Sequence, residues 1–290
     1  TVQDDVLDPA EAAVDGAVAA YRDIGLRAVV TSTMLDKRLL DAQPLLRDVT
    51  PTEVAAVLDA IPVVSTDDQI MRFERHFQLW HGVDERISII PAPTAVPRCT
   101  DRLLETMNAI SAERGLPVHI HLNETKTQAL TAYRLYGKSV VEHLLDLGLL
   151  TPRLTINHGI WLSNKDILLL GEHGCSVTHN PLSNLKLGSG VCPIRELLDA
   201  GANLAIGTDG TSTSDTADFM AALRLTGLLH KIGDPDFTQW LSAEEAFRLA
   251  TQGGARSILQ QEDIGTLEVG KKADVILVDR NAWSFLPLNH

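Results

Sequence analysis

Short apolar runs alternate with helix-like segments along most of the chain. Six runs rich in β-branched or apolar residues predict buried strands, at 26–31, 87–91, 117–122, 154–158, 175–179 and 203–208. Segments that mostly stop near glycine predict helices at 9–23, from 50 onward, and at 67–80, 101–114, 138–147, 164–172, 193–200 and 216–231. Residues 1–10 are polar and predict a surface approach, and 36–48 an active-site loop or short lid helix.

Regular strand–helix alternation predicts parallel βαβ units. A doubly wound open sheet and a (β/α) barrel both fit this pattern. No glycine-rich nucleotide-binding turn follows any predicted strand, which weakens the open sheet. Four polar residues, His121, His158, His179 and Asp209, fall at or just past the ends of separate strands, where barrel enzymes place their chemistry. The barrel is therefore favoured.

The run from Pro117 to Glu124 carries the first chemical signal. Because side chains alternate along a strand, His119, His121 and Asn123 share one face. Two imidazoles followed by a carboxylate suit a divalent metal with a proton shuttle beside it. For this segment alone, hydrogen-bonded core histidines remain an equal alternative.

Two later motifs complete the pattern. His158 ends an apolar strand before Gly159, and Asp209 follows another apolar strand. Taken alone, His158 is more often a histidine that hydrogen-bonds to the backbone, and Asp209 a residue that caps a helix or forms a turn. Together with the first motif they predict a hydrolytic metal site: His121 and Asp209 as ligands, Asp209 also able to accept a proton, Glu124 as proton carrier, and His158 as the donor that holds the attacking hydroxide or the developing oxyanion.

Composition narrows the class of partner. The chain has 290 residues and a formal net charge of −13, which argues against nucleic acid or an anionic membrane as partner. Three cysteines without CxxC spacing, no leader-like start and no membrane-length apolar run favour the cytoplasm. An acidic metalloenzyme with a small, neutral or cationic substrate fits this charge better, and we expect a homo-oligomer.

Four motifs occur in a fixed order: His-Leu-Asn-Glu at 121–124, His-Gly-Ile-Trp-Leu at 158–162, Ser-Asn-Leu-Lys-Leu at 183–187 and Gly-Thr-Asp-Gly at 207–210. With the tail at 265–275, they resemble the amidohydrolase superfamily over nearly the whole chain. The similarity is to its deaminase and chlorohydrolase branch, which includes methylthioadenosine/S-adenosylhomocysteine deaminases, guanine deaminases and triazine hydrolases.

The resemblance implies an α/β fold, a (β/α)8 TIM-type barrel holding one divalent metal, zinc or alternatively iron. It implies a partial catalytic barrel over 1–256 and the start of a small β domain over 257–290. It also implies a hydrolytic deaminase in which metal-bound hydroxide attacks a ring carbon of an amino-substituted nitrogen heterocycle and releases ammonia. The expected substrate contacts are Thr94, Trp161, His179, Asn180 and Asn184.

Two departures from the family pattern matter. Family members begin with a strand bearing an H-x-H ligand pair, which does not precede Leu26. We therefore expect the first strands to be missing and the metal site of this chain to be empty or incomplete. Thr94 replaces a substrate-contacting histidine of purine deaminases, which leaves other heterocycles open.

Three alternatives remain. A triazine-type chlorohydrolase or N-dealkylating hydrolase would use nearly the same site. A barrel relative without catalytic activity is a second, and an upstream H-x-H would exclude it. A two-metal amidase ranks lower because no lysine lies at a strand end.

Overall fold

Parallel strands alternate with helices from the first described residue to about residue 257. The computed structural model describes residues 2–6, 11–233, 235–279 and 281. The strands in these ranges are β1 Val2–Val6, β2 Ala28–Ser32, β3 Ile87–Ile89, β4 Val118–Leu122, β5 Leu154–His158, β6 Ser176–His179 and β7 Asn203–Ile206. The helices are α1 Glu11–Asp23, α2 Leu39–Ala42, α3 Pro44–Arg47, α4 Thr52–Asp59, α5 Thr66–Trp80, α6 Asp101–Arg114, α7 Lys126–Tyr136, α8 Val140–Asp146, α9 Asn164–Glu172, α10 Pro181–Lys186, α11 Ile194–Asp199, α12 Thr211–Ser214, α13 Phe219–Leu229, α14 Ala243–Arg248 and α15 Gly254–Ser257. Short 3₁₀ turns cover Val83–Glu85, Val96–Arg98 and Phe237–Gln239, and a π-helical turn covers Leu249–Gly253.

The strands pair in chain order, as β1-β2-β3 and β4-β5-β6-β7, and every pair is parallel. The segment after β3 joins the two sheets. The amide of His119 donates to the carbonyl of Pro91 at 3.2 Å, and that of His121 to the carbonyl of Thr94 at 2.9 Å. The described strands therefore form one continuous array whose C-terminal ends lie at one edge.

The two faces of this array pack differently. One face carries apolar side chains such as Val30, Ile120 and Ile156, which join the helices in a single large core. Phe73 is buried there, and Phe77 and Trp80 pack partly against it, which confirms the core role predicted for this helix face. The other face is polar in β4 to β7, where register aligns His119 with Thr155, Ser176 and Asn203.

The C-terminal helical segment covers the N-terminal end of this polar face. The Thr155 hydroxyl donates to the carbonyl of Ser257 at 2.6 Å, and the Asn203 amide to the carbonyl of Gly253 at 3.1 Å. A Cβ at Gly253 would lie 1.9 Å from the carbonyl oxygen of Leu204, so only glycine allows this approach. The polar residues at the opposite, C-terminal ends of the strands are therefore the candidates for a functional site.

The six predicted strands are all present, within one or two residues at most ends. The prediction for residues 1–10 was wrong, and the helix prediction was incomplete, since it lacked α7, α10, α12, α14 and α15. Val2–Val6 is a strand paired with β2 rather than a surface approach, because parallel pairing to a neighbour outweighs its two polar aspartates. Lys126–Tyr136 forms a helix where the pattern assigned none, started by the Thr125 side chain, which accepts from the amide of Gln128.

Only part of the predicted small β domain lies within the described residues. No strand occurs between 258 and 279, and 280 and 282–290 lie outside the described residues. The division at residue 256 stays a prediction. No helix in the described ranges is long and apolar enough to cross a membrane.

Candidate active site

His121 lies at the C-terminal end of β4 with its ring orientation fixed. Its Nδ1 is 2.8 Å from the carbonyl oxygen of Thr94. Because a carbonyl can only accept, Nδ1 carries a proton, which leaves Nε2 as the ring nitrogen that could bind a metal. Metal-ligating histidines commonly use one ring nitrogen in this way while the other binds the metal.

His158 and Asp209 meet His121 at the same edge. The ring centroids of His121 and His158 are 5.6 Å apart, and His158 Nε2 lies 3.9 Å from a carboxylate oxygen of Asp209. Three residues at these strand ends, Asn123, His158 and Asp209, adopt positive φ of 49°, 72° and 61°. Such conformations are strained for residues other than glycine and cluster at functional sites. The structure thus brings together the groups that the sequence scattered across 89 positions.

Asn184 orients His158 from behind. The Asn184 Oδ1 accepts a hydrogen bond from His158 Nδ1 at 3.0 Å, and both side chains are almost fully buried. The His158 ring therefore directs its Nε2 atom toward the edge where Asp209 lies. Asp209 is itself held by the amide of Gly210, which donates to its carboxylate at 2.6 Å.

Glu124 lies two residues past the end of β4 and is held by its backbone. The Glu124 amide donates to Oε1 of Gln128 at 2.8 Å, while the Gln128 amide donates to the Thr125 hydroxyl at 3.2 Å. Gln128 was not singled out in the sequence. A glutamine at the third position of a helix, where side chains reach back to the preceding backbone, was the available signal.

Trp161 contacts Asn123, Ser189 and Lys126. Its carbonyl accepts from the Asn123 side chain at 2.8 Å, its indole N–H donates to the carbonyl of Ser189 at 2.8 Å, and Lys126 Nζ lies 5.5 Å from the ring. The indole borders a cavity of about 260 Å³ that reaches Tyr133. His121, His158 and Asp209 do not line this cavity, and the substrate contact of Trp161 stays a prediction.

His179 and Asn180 are both buried, and their contact with substrate stays a prediction. His179 is fully buried, with its ring 5.4 Å from that of His230, and Asn180 is 3% exposed. Burial, with smaller contributions from His230 and His158, lowers the pKa of His179 to about 3. The geometry therefore places His179 behind the site as a neutral ring. Thr94, by contrast, contacts His121 directly through its carbonyl.

A metal would find part of a ligand set here. His121 Nε2 and the Asp209 carboxylate have the donor chemistry that zinc takes. No group of three or more histidine, cysteine, aspartate or glutamate side chains within the described residues could hold a metal ion. The residues present therefore fit as two ligands of a larger set.

The fold and the position of these polar groups define the structural class of the protein. The chain is an α/β protein of the TIM-barrel type, with imidazole and carboxylate groups gathered at the C-terminal ends of its strands. It belongs to the amidohydrolase family, whose family model matches residues 4–289.

Named relatives are similar in sequence and structure. The chain is 30% identical over 279 residues to the 5'-deoxyadenosine deaminase of Methanopyrus kandleri, covering 96% of this chain and 58% of that protein. It is 41% identical over 213 residues to the 5-methylthioadenosine/S-adenosylhomocysteine deaminase of Moorella thermoacetica, covering 72% of this chain and 49% of that protein. The chain thus spans about half the length of these relatives.

Two solved structures share the fold. An adenosine deaminase from Xanthomonas campestris with bound zinc superposes with a TM-score of 0.82 at 34% identity, covering 96% of this chain and 58% of that one. An atrazine chlorohydrolase from Arthrobacter aurescens complexed with zinc superposes with a TM-score of 0.83 at 26% identity, covering 94% and 58%. Membership of the deaminase and chlorohydrolase branch was expected from the motifs and is confirmed.

Proposed function

We propose that the protein is a metal-dependent hydrolase that deaminates an amino-substituted nitrogen heterocycle. The observation that carries the proposal is the convergence of His121, His158 and Asp209 at one edge, with Glu124 at the end of the same strand as His121. Relatives named as deaminases of adenosine derivatives support the reaction class.

His121 and Asp209 would hold a divalent metal, with zinc supported by the two zinc-containing relatives. When bound, such a metal lowers the pKa of a coordinated water to about 7, so that a nucleophile is available near neutral pH. The further ligands would come from the H-x-H segment that relatives of this family carry. We propose that the whole protein contains this segment.

The chain's own residues supply orientation and proton transfer. His158 Nε2 faces the reacting edge and would hold the attacking oxygen in place. Glu124 would carry a proton to a ring nitrogen or to the leaving amine. Because an amine must be protonated to leave and a chloride need not be, this carboxylate favours deamination over dechlorination.

The substrate class is an aminoheterocycle, and the particular ring is left open by Thr94. Adenosine derivatives are the first candidates because the named relatives act on them. Trp161, Thr94 and Asn184 are proposed neighbours of the ring, with His179 and Asn180 behind them. A cytoplasmic location and a homo-oligomer also stay predictions.

The test is ammonia release by full-length protein on aminopurines, aminopyrimidines, pterins and triazines. Glu124→Gln should lower turnover by about 10²–10⁴-fold while metal content stays near wild type, because a general acid contributes about this much. Asp209→Ala should lose both metal and turnover. Glu113→Gln, an exposed position in α6, is the matched control. Unchanged turnover in Glu124→Gln would refute the proton-carrier role, and full metal content in Asp209→Ala would make that residue a turn residue only.

A further inference from the structure

Hydrogen bonds beyond the strand ends join the segments that follow β4 and β5. The strand register pairs Leu122 with His158. The Asn123 carbonyl accepts from the amides of Ile160 and Trp161 at 3.2 and 3.0 Å, and the Asn123 side chain donates to the carbonyl of Trp161 at 2.8 Å. The segment that follows β4 therefore has a fixed position relative to the one that follows β5.

Asn123 is suited to this position by its backbone and its burial. Its φ of 49° lies in the left-handed region, which asparagine adopts more readily than most residues. Asn123 is 4% exposed, so water does not compete for the carbonyl of Trp161. His121 lies two residues before Asn123, and Glu124 directly follows it. The hydrogen bond to Trp161 thus starts between the predicted metal ligand and the predicted proton carrier.

The indole of Trp161 reaches a third segment, the one that follows α10. Its Nε1–H donates to the carbonyl of Ser189 at 2.8 Å, and Ser189 is 6% exposed. The backbone approaches closely here, because a Cβ built at Gly190 would lie 2.8 Å from Cγ2 of Ile160 and 3.6 Å from the indole ring. The residues after α10 therefore pack directly against Ile160 and Trp161.

Ser189 connects this contact to His158. The Ser189 amide donates to the carbonyl of Asn184 at 2.8 Å, and Oδ1 of Asn184 accepts from His158 Nδ1 at 3.0 Å. The Gly159 amide donates to the carbonyl of Leu122 at 3.1 Å. A closed ring of hydrogen bonds therefore links the three segments, and its members are Leu122, Asn123, Trp161, Ser189, Asn184, His158 and Gly159.

We propose that Trp161 is a positioning residue, which fixes His158 and Glu124 relative to each other through its carbonyl and its indole N–H. The inference rests on the proposed function and deepens it, because it assigns the tryptophan of the His-Gly-Ile-Trp-Leu motif to the orientation of the reacting groups. A misplacement of such groups by about 1 Å can cost about 10²-fold in rate, so a small loosening of this ring is enough to affect turnover.

The test is Trp161→Phe in the full-length protein, which removes the indole N–H and keeps an aromatic ring. We expect kcat for ammonia release to fall by about 2–10-fold with KM within about twofold of wild type, because one hydrogen bond to a buried carbonyl is lost. The matched control is Trp80→Phe, in which the lost bond joins α5 to the Asp15 carboxylate of α1 at 2.6 Å. The control should leave kcat and KM unchanged.

Asn123→Gly tests the other hydrogen bond of Trp161. It removes the side-chain amide and keeps the positive φ without strain. If Asn123 and Trp161 act through the same ring, the double variant loses less kcat than the product of the two single losses. Fully multiplicative losses would overturn the proposal. A Trp161→Phe variant with wild-type kcat would also overturn it, whether KM is unchanged or raised, and a raised KM would indicate a substrate contact.

Hydrogen exchange separates this proposal from the proposed function, because it needs no substrate. In Trp161→Phe the backbone amides of 158–162 and 184–190 should exchange faster than in wild type, while those of α6 should not change. Equal exchange rates in these two segments would overturn the proposal. If no compound is deaminated, the proposed function fails, and hydrogen exchange alone decides whether Trp161 holds the two segments in place.

Discussion

Replacing Asn184 with leucine tests how His158 is oriented. The substitution keeps a similar volume but removes Oδ1, the atom that accepts from His158 Nδ1 at 3.0 Å. His158 is 2% exposed, so water cannot replace the lost acceptor. An unsatisfied buried N–H costs about 1–3 kcal/mol. The ring escapes that cost by turning, and this moves its Nε2 atom away from the position that faces Asp209.

If this orientation matters only in the transition state, the same energy appears as a loss of about 5–150-fold in kcat at little change in KM. The assay is ammonia release by full-length Asn184→Leu, with thermal unfolding followed in parallel. Asn184→Asp, which keeps an acceptor oxygen, should recover part of the activity.

Ser111→Ala is the control for a lost buried hydrogen bond. The Ser111 hydroxyl donates to the carbonyl of Leu116 at 2.6 Å just before β4, at the other end of the strands. It should lower stability and leave kcat unchanged. Wild-type kcat in a folded Asn184→Leu would refute the view that Asn184 orients His158.

Two further outcomes are expected. Gln128→Ala should lower kcat by about 2–10-fold with KM and metal content unchanged, because one hydrogen bond to the Glu124 backbone is lost; Gln128→Glu should retain most activity, and a pure KM effect would count against this role. His179 has a folded-state pKa of about 3 against 6.5 in the unfolded chain, so below pH 6.5 only the unfolded chain binds the proton. The free energy of unfolding is therefore highest above pH 6.5 and falls as the pH drops toward 3. The contribution of His179 to this fall is about 2 kcal/mol at pH 5. Denaturant unfolding at pH 7 and 5 measures it, and an equal drop in His179→Phe would contradict the assignment.

The strands of the second sheet were predictable because their sequence signal is local. Each is a short apolar run bounded by turn residues, and each chemical residue stands just beyond it, as with His158 before Gly159. Barrel geometry then carries those strand ends to one edge, so His121 and Asp209 could be placed together from the sequence alone.

What the sequence did not show depends on tertiary context. Val2–Val6 is a strand because β2 lies beside it, and its two aspartates hide the apolar pattern. His179 ends β6, and only the fold reveals that it is buried with its ring beside that of His230; its contact with substrate stays a prediction.

The central claim is that His121 and Asp209 share one metal ion at the C-terminal strand ends. The most direct measurement is a crystal structure of the full-length protein grown with zinc, with anomalous scattering used to locate the metal. The account predicts a peak about 2.0–2.2 Å from both His121 Nε2 and an Asp209 carboxylate oxygen. A zinc ion bound elsewhere, with these two residues outside its coordination sphere, would contradict it.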